Sequence, residues 1–196
     1  MSAITPTTPL VLASQSPRRS ELLAKLGRPF RIVAPEADES HDASLTAQDL
    51  TQANARVKAE AGSRLCPEAL VIGADTLVYI DGVPLGKPRD LAEAAQMLRK
   101  LSGRQHQVCT GVALAMGGQC ITTFAVVTDV WFLPLHEETI AAYHARVDPL
   151  DKAGAYGIQE AAELILDRTE GSWTNVVGLP MEELSETLDK LFNDDH

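Results

Sequence analysis

An aspartate stands in the middle of an almost continuously apolar run, ALVIGADTLVYI at 69–80. Burying a carboxylate is expensive unless it is ion-paired or ligates a cation, and intrinsic strand preference runs against Asp. Asp75 therefore reads as functional rather than structural. Two arginines, Arg18 and Arg19, follow a short apolar run and a turn at LVLASQSPRR, residues 10–19. They fall where a helix would begin. Cations oppose the helix dipole at that end unless an anion is shared, so their placement hints at a phosphate site. Four carboxylates, Glu36, Asp38, Glu39 and Asp42, crowd residues 35–42. A solvated acidic loop is the commoner explanation, but oxygen-rich loops also bind hard cations. Lys87 follows a turn and can meet a phosphate as a point charge. Together these groups suit metal-assisted attack on a phosphoanhydride: cations hold the polyphosphate, carboxylates hold a divalent ion, and one carboxylate orients or deprotonates water.

Positioning such groups takes a strand–turn–helix unit first. Residues 10–13 predict a buried strand, and residues 17–26 a helix with Ser16 as N-cap, Pro17 in its first turn and Gly27 after its end. Leu22, Leu23 and Leu26 form its apolar face. Residues 30–34 predict a second strand that empties into the acidic loop. Residues 48–65 predict an Ala-rich helix carrying Lys58, a lone helix lysine of little weight by itself. Gly73, two residues before Asp75, suggests close approach by a ligand or a backbone. Asp81-Gly82 is a hairpin signal, and Asp90-x-x-Glu93 a capping-box start for a helix to residue 101. Gly82 to Lys87 superficially resembles a P-loop, but the spacing is one residue short and Pro88 replaces the Ser or Thr. Two β-rich runs, 107–116 and 120–132, join through Gly117-Gly118; a helix follows at 137–146. Residues 151–159 predict a Gly-rich loop entering a short strand, 164–168 a further strand, and Pro180 the start of a last helix whose Leu184, Leu188 and Leu191 share a face.

With 196 residues and 45% hydrophobic content, the chain suits one α/β domain over 10–192, with a Thr/Pro-rich leader at 1–9 and a polar tail at 193–196. A net charge of −10 argues against a polynucleotide partner, while a small anion needs only a local cationic cluster. Three scattered cysteines, Cys66, Cys109 and Cys120, support neither a disulfide framework nor a zinc site. No stretch approaches a membrane span, and the start lacks a signal-peptide pattern, so a cytoplasmic protein is expected. None of the five histidines sits in a ligand-like pair, and each is expected in solvent.

At ASQSPRR (13–19), GADT (73–76), GKP (86–88), KAGAYGIQ (152–159) and VGLP (177–180), the sequence resembles the Maf family of nucleoside triphosphate pyrophosphatases, also called septum-formation inhibitors. The likeness runs from Leu10 to Phe192. It implies an ITPase-like α/β fold with an elongated mixed sheet, two lobes with a cleft between them, and a homodimer. It also implies cleavage of a nucleoside triphosphate between the α and β phosphates. Carried over by residue, it puts Ser14, Arg19, Lys58 and Lys87 at the phosphates, Asp75 as the acid that activates water, and Glu39 with Asp75 on Mg²⁺ or Mn²⁺. Lys152 falls in the same substrate-facing motif. Arg18, Thr76 and Gln159 fall on positions that separate branches of the family and look like the dTTP/UTP branch; the 7-methyl-GTP branch has an aromatic residue at the place of Arg18. Arg18 and Gln159 offer donors to pyrimidine carbonyls, and Thr76 a donor and an acceptor. The acidic loop diverges from the family pattern, leaving Glu36 and Asp38 as alternatives to Glu39. Two other readings stand beside catalysis: a nucleotide-sensing division inhibitor with incidental hydrolysis, and an RNA-binding module, which the net charge disfavours.

Overall fold

A computed structural model describes residues 4–42 and 44–193. Its centre is a seven-stranded mixed sheet: β1 (Leu10–Ala13), β2 (Phe30–Val33), β3 (Leu70–Ile80), β4 (Val83–Leu85), β5 (Gln105–Met116), β6 (Gln119–Phe132) and β7 (Leu166–Glu170), in the order β2-β1-β3-β5-β6-β7, with β4 also on β3. β1 runs parallel to both β2 and β3, and the other pairings are antiparallel. The helices are α1 (Pro17–Ala24), α2 (Ala47–Leu65), α3 (Leu91–Leu101), α4 (Glu137–His144), α5 (Trp173–Val177) and α6 (Met181–Asn193).

The alternation along the strands explains the layering. Leu10, Leu12, Leu70 and Ile72 join Leu22 and Leu23 of α1 in the main core, which also holds Leu184, Leu188 and Phe192 of α6. Val11, Ala13 and Val71 point to the other face. There α2 lies unusually close, because its inner residues Ala55 and Ala59 are small and the strands beneath offer glycine. A Cβ at Gly73 would sit 2.3 Å from the Ala55 carbonyl oxygen, and one at Gly111 would sit 2.3 Å from the Thr51 carbonyl carbon. The close approach expected at Gly73 is thus by a backbone, not by a ligand.

β3 is hydrogen-bonded along one edge to β5, from Val71 to Tyr79. Its other edge is shared. β1 pairs with Leu70 to Gly73, and β4 with Val78 to Ile80. Residues 74–77 lie in the gap between them, so the sheet is split beside Asp75 and Thr76. One lobe, built on β1, α1 and residues 34–39, flanks this gap; residues 87 and 151–159 belong to the other, and a cleft runs between them.

Several expectations shift. Residues 151–159 form no strand. They make a single 3₁₀ turn, Ala153–Ala155, in which Gly154 takes φ +69. The last sheet strand starts at Leu166, two residues late, because the chain turns through a second 3₁₀ segment, Ala162–Leu164, first. The short helix α5 was not foreseen. Ser16 takes the N-cap place of α1 but makes no side-chain cap bond. On α6, Phe192 rather than Leu191 completes the buried stripe. His106 is a clear correction: it is 2% exposed, not in solvent, with Nε2 2.8 Å from the Tyr156 hydroxyl and Phe132 packed edge-on. Burial lowers its pKa to about 4. Of the expected leader, residues 1–3 lie outside the described residues, Ile4 packs against the core and Thr5 to Thr8 make a turn. In the expected tail, Asn193 closes α6 and residues 194–196 lie outside the described residues.

Candidate active site

Asp75 and Thr76 are neighbours on β3, so their side chains leave opposite faces of the sheet. The gap in the strand edge lets both line one cleft of about 770 Å³, with Ser14, Arg18, Arg19, Glu39, Lys58, Lys87, Lys152 and Gln159. Every residue proposed from sequence lies on this cleft.

On the α2 face, Lys58 projects from the helix between two carboxylates. Its Nζ is 2.8 Å from Asp75 Oδ1 and 2.8 Å from Glu39 Oε2. Asp75 is 8% exposed, and its second oxygen accepts from Asn54 Nδ2 at 3.1 Å. The buried carboxylate is therefore paired, as its cost demands. Lys58 is no solvated helix lysine. It sits on the same α2 stripe as Thr51, Asn54, Ala55 and Ala59, all buried. Glu36 and Asp38 line the rim of the cleft, but among the described ion pairs only Glu39 of the three reaches Lys58.

On the other face, Arg19 is held at three points. Its Nε donates to the Gly178 carbonyl at 2.8 Å, one terminal nitrogen to Ser14 Oγ at 3.3 Å, and the other to Thr76 Oγ1 at 3.0 Å. Burial pushes the Arg19 pKa down and Asp75 pulls it up. Thr76 in turn meets Thr110 Oγ1 at 2.9 Å, and Thr110 donates to the Asn175 carbonyl at 2.9 Å. With its own proton so used, Thr110 takes that of Thr76. The Thr76 hydroxyl is thus committed as donor to Thr110 and as acceptor from Arg19, so it keeps only one lone pair for a ligand. Asn175 is fully buried and also donates to the Val108 carbonyl and to Thr128 Oγ1. Gly178 ends α5 at φ +121, a conformation that frees its carbonyl for Arg19 and that a side chain would strain. The VGLP motif earns its glycine there.

The first turn of α1 faces the cleft without a side-chain cap and without an acidic residue. Ser14 Oγ takes the Ser16 N–H at 3.2 Å and the Arg19 donor together. An uncapped helix start at the end of a parallel strand is an anion site by its backbone alone.

The opposite wall is fixed by backbone contacts. Gly154 N–H donates to the Gly86 carbonyl at 3.0 Å, which ties the loop of Lys87 to residues 152–159. The Tyr143 hydroxyl donates to the Gly157 carbonyl at 3.1 Å and accepts from its N–H at 2.9 Å. Lys87 and Gln159 are exposed and open to the cleft. Lys152 is different. It is 6% exposed, and its ammonium meets the Asp148 carbonyl at 2.7 Å, Asp151 at 2.7 Å and Glu160 at 3.3 Å. Three oxygens use its three donors. Asp151 also accepts from Arg18 at 3.0 Å, so the carboxylate holds Arg18 in place. Burial alone would raise the Asp151 pKa, but the hydrogen bonds from Lys152 and Arg18 outweigh it and hold the carboxyl below its usual range.

Among the described residues, no group of three or more His, Cys, Asp or Glu could hold a metal ion. Glu39 and Asp75, already bridged by one cation, are two hard oxygen donors on a single side. That set fits a Mg²⁺ or Mn²⁺ ion only if substrate phosphates and water supply the rest, the usual habit of Mg²⁺ in phosphoryl-transfer sites.

Asn54, Thr110, Asn175 and Asp151 complete the site and escaped the reading from sequence. Asn54 had one available signal, its place four residues before Lys58 on the same helix face.

Strand β1 feeding α1 on one face of the sheet, β2 feeding β3 through α2 on the other, and a cleft where the connections part: this is the class of α/β protein that takes a ligand at the carboxyl ends of its strands. The comparisons narrow the class. The profile of the family described as Maf-like protein matches residues 9–191, and the chain belongs to that family. Similar curated proteins include a dTTP/UTP pyrophosphatase of Akkermansia muciniphila, 49% identical over 93% of this chain and 96% of that protein. Another is the dTTP/UTP pyrophosphatase of Vibrio cholerae, 49% identical over 92% of this chain and 97% of its relative. Among solved structures, the Staphylococcus aureus Ham1 protein aligns with a TM-score of 0.48 and 16% identity, over 64% of this chain and 72% of the other.

Proposed function

We propose that this chain hydrolyses dTTP and UTP to the nucleoside monophosphate and pyrophosphate. The observation that carries the reading is the pairing of a buried, lysine-bound Asp75 with an uncapped helix start and a fixed Arg19 across one cleft. The names of relatives nearly half identical over more than nine-tenths of this chain supply the nucleotides.

In this mechanism the triphosphate lies against the first turn of α1, where the backbone N–H groups, Ser14 and Arg19 meet its oxygens and Lys87 reaches in from the opposite wall. Asp75 holds a water molecule and takes its proton as the water oxygen attacks the α-phosphorus. The bond from that phosphorus to the bridging oxygen breaks, and pyrophosphate leaves with the electron pair. Lys58 offsets one of the two negative charges of Glu39 and Asp75, which weakens their repulsion of an approaching polyanion. Glu39 and Asp75 would hold a Mg²⁺ or Mn²⁺ ion, which supplies further neutralisation of the phosphate charge. Lys152 acts at one remove: with its donors occupied, it fixes Asp151 and thereby Arg18. Arg18, reaching from α1 to Asp151, and Gln159, on the opposite wall, are placed to donate to pyrimidine carbonyls. Thr76 contributes mainly by orienting Arg19.

The net charge of −10 supports a small nucleotide rather than a polynucleotide. The family resemblance supports a homodimer in the cytoplasm. Among the described residues, no helix is long and apolar enough to cross a membrane.

A panel of triphosphates with chromatographic product identification tests the reading. dTTP and UTP should outpace ATP, GTP and CTP, because a site built on hydrogen bonds rejects bases that leave its polar groups unpaired, by up to about 10⁴-fold. Diphosphate plus inorganic phosphate would mean another bond is cut, and a preference for 7-methyl-GTP would mean another branch of the family.

A further inference from the structure

Asn54 is 4% exposed, and all but one of its amide's hydrogen-bonding positions are used. Its Oδ1 accepts from the Ser40 N–H at 2.7 Å, and its Nδ2 donates to the Ser40 carbonyl at 3.1 Å. The two bonds grip one residue's main chain from both sides, as a neighbouring strand would. The second Nδ2 hydrogen goes to Asp75 Oδ2 at 3.1 Å. Ser40 directly follows Glu39. A single buried amide therefore joins the acidic loop to the carboxylate on β3.

Nothing else described anchors this part of the loop so firmly. Residues 34–42 have no regular secondary structure, and Glu36, Asp38 and Glu39 are exposed. Asp42 bonds only its near neighbours Ser40, Ser44 and Leu45, and Glu39 pairs with Lys58 through a carboxylate that is 41% exposed. Water at the open carboxylate screens that pair and lets the Glu39 side chain move. A buried amide satisfied by fixed partners does more, and leaves unpaired groups behind when removed.

We infer that Asn54 is a positioning residue for the hydrolysis, clamping the acidic loop so that Glu39 and Asp75 keep a fixed separation around Lys58. It touches neither nucleotide nor reacting water. It acts through Ser40 and Asp75. The inference rests on the pyrophosphatase reading for its kinetic consequence, while its structural part stands on the loop alone.

The test compares wild type with Asn54→Leu and Asn54→Asp. Leu is close in size and favours helix, so α2 should persist while all three hydrogen bonds go. Asp keeps the acceptor for the Ser40 N–H but loses both donors and sets a second carboxylate against Asp75. Hydrogen exchange of peptides spanning 35–42 is measured without metal or nucleotide, beside kcat and KM for dTTP. Asn54→Leu should exchange that segment at least tenfold faster, with β5 and β6 unchanged, and should lose kcat tenfold or more with KM altered less than threefold. Asn54→Asp should exchange the loop at an intermediate rate and lose kcat as well. Unchanged exchange at 35–42, or an unchanged kcat, in a folded Asn54→Leu protein overturns the inference. A wild type that does not hydrolyse dTTP overturns the reading beneath it, and the exchange data then still report whether the clamp exists.

Discussion

The two faces of β3 at residues 75 and 76 solve opposite problems. The α2 face gathers charge: Lys58 lies between Asp75 and Glu39, with the acidic loop close by. The other face carries its charge at the cleft walls, on Arg19 and on Arg18 with Asp151 and Lys152, while the network behind Thr76 is neutral: Thr110, Asn175, Thr128 and, further along, His106 with Tyr156. The packing differs in the same sense. Small residues let α2 approach the strands closely, so the charged cluster is rigidly backed, whereas the neutral network is braced by the large core. One strand thus separates a face suited to water activation from a face suited to gripping phosphate. The split edge of β3 makes both reachable from a single cleft.

The largest effect expected from breaking this contrast is at Asp75. Asp75→Asn should lower kcat by about 10²–10⁴, the usual worth of a positioned general base, with the fold and dTTP binding retained. Steady-state kinetics with calorimetric binding separate the two quantities. Next comes the ion. A chelator should abolish activity and Mg²⁺ or Mn²⁺ restore it, and Glu39→Gln should raise the metal concentration for half-activity about tenfold; if Glu36→Gln or Asp38→Asn does so instead, the loop presents another carboxylate.

On the other face the effects should be smaller and of another kind. Thr76→Val keeps the shape but removes the acceptor for Arg19. It should raise KM for dTTP several-fold, about 1 kcal/mol for one hydrogen bond, with kcat little changed. An equal loss of kcat would place Thr76 in the chemistry rather than the grip.

His106 reports how strictly that neutral network excludes charge. Its folded pKa of about 4 lies below the ordinary 6.5, so the unfolded chain binds the proton first as pH falls. Its contribution is fully present above pH 6.5, is lost between 6.5 and about 4, and is constant below. The span corresponds to about 3 kcal/mol. Denaturant melts at several pH values should show this slope in wild type and a flatter one in His106→Phe. That variant is also less stable at pH 7, because the Tyr156 hydroxyl loses its partner.

Much of the site's charge was legible in the sequence, because the residues that carry it violate local rules. Asp75 breaks an apolar strand, and Arg18 and Arg19 oppose a helix dipole. The neutral network behind Thr76 obeys every local rule and so was silent. Thr110 looks like an ordinary β-branched strand residue. Asn175 sits on a five-residue helix signalled only by the Ser172 cap. Asn54 reads as a neutral member of an Ala-rich helix, and Lys58 as a solvated one, until tertiary packing turns that stripe toward β3. His106 was misjudged because burial depends on the partners Tyr156 and Phe132, 50 and 26 residues away. Motif resemblance alone pointed to Ser14 and Gln159, whose places on the cleft no local pattern shows.

The phosphorus that water attacks can be identified by isotope. Hydrolysis of dTTP in ¹⁸O-enriched water, with mass analysis of both products, follows the oxygen delivered at Asp75. Attack at the α-phosphorus should place the label in the nucleoside monophosphate and leave the released pyrophosphate unlabelled. Label in pyrophosphate, or its appearance with nucleoside diphosphate and labelled phosphate, would contradict the mechanism.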